Sequence, residues 1–374
     1  MRPEHPFLSI VVPVHQGGAV LPRCLAAIAA SDLPRAAWEL IVVDDASTDD
    51  TAVIAAEYAD TVVRLPRRPH GPAYARNRGF EVSRGECVVF VDADVCVHGD
   101  TLSQFARVFA EEPDVSAVFG SYDERPADPG IVSQYRNLLH HHVHQQGEGE
   151  AETFWAGCGA VRSEVFAAAG MYDEWRFPRP QIEDIDLGYR IRSLGYRIVL
   201  RPEIQGTHLK RWTFRGMVAT DLNSRGVPWM RLLLQEGATL RAGTLNLRAS
   251  EKVNALLVGL AVALAVTSLA RREPRWLVAA LLCLLPVVVT NWRLFTLFVR
   301  RHGVLFALAA FPLHLVYYLV SGTSAVLGWL IHEVMGEPTP EPAVSAFSEV
   351  GVRMWPPVPT DRKAQPRTAP GDER

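Results

Sequence analysis

Two acidic clusters stand at the ends of apolar runs: Ile41-Val42-Val43-Asp44-Asp45 and Val88-Val89-Phe90-Val91-Asp92-Ala93-Asp94. Short runs rich in Val and Ile read as buried parallel strands, and ligands of open α/β sheets collect at the carboxyl ends of such strands. The four acids are therefore expected in one crevice. Carboxylates crowded there repel one another unless a cation or a hydrogen-bonding ligand is present, and hard oxygen donors suit Mg2+ or Mn2+. The chemistry this points to is the handling of a metal-bound nucleoside diphosphate. Asp92 and Asp94 share one face of an extended chain, because side chains alternate with period two.

The elements that must position these acids follow from patterning. Phe7 to Val14, Trp38 to Asp45, Thr61 to Leu65 and Cys87 to Asp92 read as strands, separated by helical spacing at Leu21, Leu25 and Ile28, after Asp49-Asp50, and from Gly71-Pro72 to Gly85. Four strands alternating with three helices predict a parallel, doubly wound sheet with right-handed crossovers. Further strands are expected at Val115 to Tyr122, Thr153 to Val161 and Tyr196 to Leu200. Helices are expected at Ile131 to Gln146, Glu164 to Ala169 and Glu183 to Leu194.

The chain has 374 residues, and its near-neutral mean hydropathy averages a mixed polar part, up to about Arg248, with three apolar stretches. These run from Val253 to Ala270, Trp276 to Thr290 and Val304 to Ile331. A membrane span needs roughly 20 apolar residues, so the second is short; its continuation through Arg301 either completes a span or lies in the interface as an amphipathic helix. The expected organisation is a catalytic domain over 1–210, an interfacial amphipathic connector over 211–250, a membrane region of about three helices over 251–335, and a disordered Pro-rich tail over 336–374. The first residues lead into a strand without the apolar core of a secretory signal peptide. The catalytic part is thus expected on the cytoplasmic side of a multi-pass inner (plasma) membrane protein. Arg241, Arg248 and Lys252 before the first apolar stretch agree with that orientation. Five scattered cysteines show no metal-finger or redox spacing, a net charge of −3 argues against nucleic acid as a partner, and the Arg and Ala bias suggests a bacterial source.

Residues Leu8 to Gly206 resemble an inverting family 2 glycosyltransferase of GT-A fold, with membrane helices following. The resemblance is carried by Ser9-Ile10-Val11-Val12-Pro13-Val14, Val42-Val43-Asp44-Asp45-Ala46-Ser47-Thr48-Asp49, Ala75-Arg76-Asn77-Arg78-Gly79, Asp92-Ala93-Asp94, Trp155-Ala156-Gly157-Cys158-Gly159-Ala160 and Glu183-Asp184-Ile185-Asp186-Leu187, in the family's order. It implies an α/β, mostly parallel sheet and transfer from a nucleotide sugar, UDP- or GDP-linked, to a lipid-linked or other amphiphilic acceptor, with Mn2+ or Mg2+.

Position by position, the resemblance implies that Pro13, Val14 and Asp44 or Asp45 hold base and ribose, with Arg76, Asn77, Asp92 and Ala93 in the same nucleotide-sugar pocket. Arg76 is expected to pair with a phosphate or with Asp44 or Asp45. Asp94 is the expected direct metal ligand, with Asp92 and His208 beside it. Asp184 is the expected general base, Glu183 orients acceptor or base, and Asp186 braces the helix. Trp155, Gly157, Cys158 and Gly159 fall on the acceptor side, the glycines for close approach and Trp155 for stacking on a sugar or packing in the core. His140, His141, His142 and His144 occupy helical positions that point in different directions, and read as acceptor contacts or a solvated face rather than a metal site. Arg211-Trp212 partly matches the Gln-x-x-Arg-Trp signature of processive synthases, but His208 stands at the Gln position. A catalytically silent sugar-binding membrane scaffold and a processive polysaccharide synthase are the alternatives, with a nucleotidyltransferase a further one.

Overall fold

A computed structural model of the protein describes residues 6–236 and 249–336. Residues 237–248 of the connector and the Pro-rich tail beyond 336 lie outside the described residues. The strands are β1 (Leu8–Val14), β2 (Trp38–Asp44), β3 (Thr61–Arg64), β4 (Cys87–Val91), β5 (Val95–Val97), β6 (Val115–Tyr122), β7 (Gly149–Ala151), β8 (Cys158–Arg162) and β9 (Arg197–His208). Among the described residues they form one sheet, ordered β3-β2-β1-β4-β8-β6-β9-β5, with β7 added on β9.

The first half is the parallel block that the alternating pattern predicts. β1 pairs in parallel with β2 and with β4, and β2 with β3. β1, β2 and β4 are buried along nearly their whole length, as a sheet covered on both faces requires. The second half is mixed: β8 runs antiparallel to β4 and β6, whereas β6 and β9 are parallel. β5 and β7 have three residues each, too few for a periodicity to reveal, and β9 continues eight residues beyond the expected end at Leu200 to reach His208.

Helices α1 (Leu21–Ala29), α2 (Thr51–Tyr58), α3 (Pro72–Glu81), α4 (Thr101–Glu111), α5 (Ile131–Gln145), α6 (Ser163–Ala168) and α7 (Glu183–Ser193) flank the sheet. Its two faces close over separate apolar clusters, one holding Ile10, Val12 and Leu25, the other Val11, Phe90 and Leu187. α2 starts at Thr51 rather than at Asp49, because the Asp49 carboxylate accepts from Thr51 N and from Gly18 N, at 3.2 and 2.9 Å. It thus closes the turn ahead of the helix.

Beyond the sheet come α8 (Phe214–Ala219), a π-helical turn (Thr220–Gly226), α9 (Val227–Glu236), α10 (Ala249–Arg271), α11 (Pro274–Thr290) and α12 (Trp292–Met335). Among the described residues, α10 and α12 are long and apolar enough to cross a membrane by length and composition; α11 has 17 residues and falls short. Leu256, Leu269 and Leu305 on these helices are exposed rather than packed in a core. α12 is interrupted at Gly303, whose φ of 82° suits glycine. The stretch before the break packs Leu294, Leu297 and Phe298 against Tyr135 and Leu138 of α5. It is a docking helix, held further by ion pairs from Arg300 and Arg301 to Glu124.

One backbone approach sets the position of α7. A Cβ at Gly188 would lie 2.6 Å from the Thr153 carbonyl carbon, a contact that no rotamer relieves. Gly188→Ala is therefore expected to destabilise the protein by about 1–3 kcal/mol, read as a lowered midpoint of chemical denaturation. An unchanged midpoint would show that α7 does not need this approach.

Candidate active site

The turn after β4 and the end of β9 are brought together by strand register. Val95 pairs with His208, and Leu209 N donates to Asp94 O at 2.8 Å, so the His208 ring falls beside the Asp94 side chain, with Nε2 3.6 Å from Oδ2. His208 is buried and stacks on Tyr122 at the end of β6, centroids 4.2 Å apart and planes within 9°. Burial resists ionisation of Asp94, but His208, with Lys210 and a backbone N–H, outweighs that and holds the carboxyl below its ordinary range. Asp94 is therefore a charged, partly exposed oxygen donor.

Arg76, from α3, is the strut of the site. Its Nη1 donates to Glu183 Oε1 at 2.9 Å and its Nη2 to Asp92 Oδ1 at 2.8 Å. The guanidinium is buried, over the Tyr172 ring at 5.3 Å. Burial alone would favour its neutral form, but Asp92, Tyr172 and Glu183 more than compensate and raise its pKa. The acids it meets are thus Asp92 and Glu183, not Asp44 or Asp45. Burial raises the pKa of Asp92, with Arg76 opposing.

Glu183 and Asp184 open α7, where the helix dipole favours acids. Their environments differ. Glu183 is buried and committed, accepting from Arg76 and from Gln181 N at 2.9 Å. Asp184 is partly exposed and accepts from Ala156 N at 3.2 Å and Ile185 N at 2.9 Å. Burial, then the neighbouring Glu183, pushes its pKa up to about 7. A carboxyl poised there can take a proton near neutrality. Asp186 is held by Arg190 at 2.9 Å and Arg176 at 3.5 Å, a bracing position.

The remaining expected residues fall into two groups. Pro13 and Val14 end β1, where Val14 O accepts from Asp45 N at 2.8 Å. The Asp44 carboxylate accepts from Ser47 N at 2.9 Å, and that of Asp45 from His70 N and Gly71 N, each at 2.8 Å. Both thus shape the loops around the β1–β2 crevice. Ala93 sits in the turn between Asp92 and Asp94. Asn77 points away from this group, its amide donating to Tyr172 O and Glu174 and accepting from Tyr172 N.

On the other side, Gly157 and Gly159 make room for the protein's own rings rather than for a ligand. A Cβ on Gly157 would lie 2.6 Å from Trp155 Cε2, and one on Gly159 2.6 Å from Phe154 Cζ. Cys158 is fully buried in β8 and its thiol is pushed up to about 12 by burial, so it is a core residue, not an acceptor contact. Trp155 is partly exposed and packs against Tyr122, His140 and His144. His141 and His144 are neither acceptor contacts nor a solvated face; they are buried and donate from Nδ1 to Tyr122 O and Gly120 O at 2.8 and 2.9 Å. Tyr122 carried no signal in the sequence, because a strand-end tyrosine has no motif of its own.

Among the described residues, no group of three or more His, Cys, Asp or Glu side chains could hold a metal. Asp94 Oδ2 and His208 Nε2, 3.6 Å apart, nevertheless fit two ligands that each sit about 2.1 Å from a shared ion. Sites for Mg2+ in particular keep several positions for water and substrate phosphates.

The family model for glycosyl transferase family 2 matches residues 9–169, the segment that holds Asp44, Asp45, Arg76, Asp92 and Asp94. This chain carries a family 2 glycosyltransferase domain. Curated relatives include the poly(ribitol-phosphate) beta-N-acetylglucosaminyltransferase TarS of Staphylococcus aureus, 33% identical over 28% of this chain and 19% of that protein. Glycosyltransferase AglE of Haloferax volcanii is 31% identical over 26% and 34%, and the probable glycosyltransferase YdaM of Bacillus subtilis 24% identical over 53% and 50%. The chain thus spans half or less of the length of these relatives. In fold it is similar to the mannosyltransferase PcManGT of Pyrobaculum calidifontis, solved with GDP-Man and Mn2+. The TM-score is 0.53 at 18% identity, over 90% of each chain. The architecture is that of GT-A glycosyltransferases.

Removing the strut should expose its energetic role. Arg76→Met leaves Glu183 buried without its cation, at a cost of about 3–5 kcal/mol. Adding Glu183→Gln should recover part of that loss, measured by chemical denaturation of the single and double variants. A single variant as stable as wild type would show that the pair bears little load.

Proposed function

We propose that the chain is a membrane-bound inverting glycosyltransferase. It moves a sugar from a UDP- or GDP-linked donor to a hydroxyl of a lipid-linked or other amphiphilic acceptor. The observation that carries the reading is Asp184: a partly exposed carboxyl at a helix start, shifted to about 7 by burial and Glu183. Its neighbour Glu183 is joined through Arg76 to the Asp92–Asp94 turn.

In this reading Asp184 removes the acceptor proton as the hydroxyl oxygen attacks the anomeric carbon. The bond from that carbon to the diphosphate oxygen breaks on the opposite face, so the anomeric configuration inverts. Arg76 keeps Glu183 and Asp92 in place and spaces the base from the donor side. The ends of β1 and β2, with Pro13, Val14, Asp44 and Asp45, border the space for base and ribose. Asp94, with His208 and Asp92 beside it, would hold Mn2+ or Mg2+, which supplies positive charge against the departing nucleoside diphosphate. Support for a metal and a nucleotide sugar comes from the fold's likeness to a mannosyltransferase that binds GDP-Man and Mn2+. The apolar α10 and α12 support residence in a bacterial inner membrane and an amphiphilic acceptor, with the catalytic domain over 1–210 on the cytoplasmic side.

Thermal shift of the detergent-purified protein against a panel of nucleotide sugars with Mn2+ should single out the donor by its stabilisation of the folded state. With that donor, Asp184→Asn is expected to lower kcat by about 10²–10⁴-fold, the usual worth of a general base, and to leave donor affinity nearly unchanged. Because the base must be deprotonated, wild-type kcat/KM should rise with pH up to about 7 and level off above. Collapse of donor binding in Asp184→Asn, or a flat profile through neutrality, would remove Asp184 from this role.

Asp94→Asn replaces a charged ligand with a neutral one of the same shape. It should abolish Mn2+-dependent turnover while leaving the protein folded. Turnover within a few-fold of wild type at limiting Mn2+ would contradict the metal assignment.

A further inference from the structure

The Ala75-Arg76-Asn77-Arg78-Gly79 motif holds one buried side chain that has no part in the transfer chemistry above. Asn77 is 2% exposed and follows Arg76 on α3. Its amide is spent on one loop, the stretch between α6 and α7. Oδ1 accepts from Tyr172 N at 3.0 Å, and Nδ2 donates to Tyr172 O and to Glu174 Oε2, each at 2.9 Å. A side chain that bonds both the N–H and the C=O of one residue fixes that backbone as a paired strand residue would.

The clamp acts where the loop is least relaxed. Gly170 and Met171, just before Tyr172, both have positive φ, 80° and 59°. Left-handed backbone is uncommon outside glycine and persists where the surroundings over-determine it. Arg190 Nη1 of α7 donates to Met171 O at 2.7 Å, and Asn77 holds the next residue. The turn is thus pinned from α7 and from α3.

What the clamp delivers is a ring. The Tyr172 side chain packs on Phe90 and Phe166, centroids 5.2 and 5.3 Å away, and the Arg76 guanidinium carbon lies 5.3 Å from its centroid. That is within reach of a cation–π contact. Among the described residues, the Tyr172 hydroxyl is buried without a hydrogen-bond partner, and so is Nε of Arg76. The ring is therefore located through its backbone and its apolar neighbours, not through its hydroxyl. The guanidinium, bonded to Glu183 and Asp92 through Nη1 and Nη2 but not through Nε, relies on the ring beneath it to keep its plane.

We propose that Asn77 is a positioning residue for the transfer reaction: by clamping Tyr172 it sets the ring on which Arg76 lies, and through Arg76 the spacing between Asp92 and Glu183. The inference rests on the transferase reading above. It takes Asn77 out of the nucleotide-sugar pocket and places its effect on the base side of the site.

The test uses the full-length protein in dodecyl maltoside with Mn2+ and follows release of UDP or GDP from UDP-glucose, UDP-N-acetylglucosamine and GDP-mannose. Asn77→Ala is expected to lower kcat for that release about tenfold or more, with KM within about twofold of wild type. Tyr172→Leu leaves the backbone clamp but removes the ring, and should do the same. Tyr172→Phe, which keeps the ring, should bring kcat back to within about threefold of wild type. A raised KM with kcat unchanged in Asn77→Ala would put Asn77 in the donor pocket and overturn the proposal. So would full kcat in Tyr172→Leu.

A second measurement needs no turnover: chemical denaturation of Asn77→Ala, Glu183→Gln and the double variant. No hydrogen bond or ion pair joins Asn77 to Glu183 among the described residues, so a purely local role makes their effects multiply in the unfolding equilibrium constant. The relay instead predicts a double variant about fivefold less perturbed than that product; simple multiplication would overturn it. Asn77→Ser takes the place of Asn77→Ala in both measurements if the alanine variant does not fold. If the denaturation cycle shows coupling while wild type releases no UDP or GDP from the three donors, the relay stands and its catalytic role falls with the transferase reading.

Discussion

A single buried guanidinium connects the two halves of the catalytic domain. Arg76 comes from a helix of the parallel half and spans from Asp92, at the end of β4, to Glu183, at the start of α7. Each partner alone would be an expensive buried or half-buried charge; together they fix the distance between the acids that end the strands and the acid proposed as base. Glu183 is ion-paired with Arg76, whereas Asp184 accepts only backbone N–H groups and is pushed up to about 7 by burial and by Glu183. That division of labour comes from environment, not residue type.

A second constraint lies between the sheet and the helices that follow it. Tyr135, Leu138 and Trp212 of the catalytic side pack with Leu294, Phe298 and Ala310 of α12 in one apolar cluster. Arg300 and Arg301, next to the Gly303 break, hold Glu124. Glu124 is two residues past Tyr122, the ring stacked on His208. The apolar helix is therefore docked on α5 and on Glu124, just past the end of β6.

Much of the parallel half was legible in the sequence, because β1, β2 and β4 are buried on both faces and read as continuous Val and Ile runs. The acids at their ends were legible for the same reason. The rest was hidden by length and distance. β5 and β7 are three residues long, and the later part of β9 is masked by Pro202, Glu203 and Gln205. The partners of Arg76 stand 16 and 107 positions away, beyond any local pattern. Gly157 and Gly159 were expected to admit an acceptor, yet they admit Trp155 and Phe154; a glycine announces close approach without saying by what. Of the four histidines of α5, His141 and His144 pin the carbonyls of Tyr122 and Gly120 in β6, a role that no local pattern announces. The π-helical turn gave no signal, since a π turn has no sequence period of its own over seven residues.

The reaction at the anomeric carbon is the decisive step. Incubation of the purified protein with its stabilising nucleotide sugar and an acceptor, followed by NMR of the products, would report both the leaving group and the configuration of the new bond. Free nucleoside diphosphate and a glycosidic bond whose configuration is inverted relative to the donor are expected. Release of pyrophosphate, or a product that retains the donor's configuration, would contradict this reading.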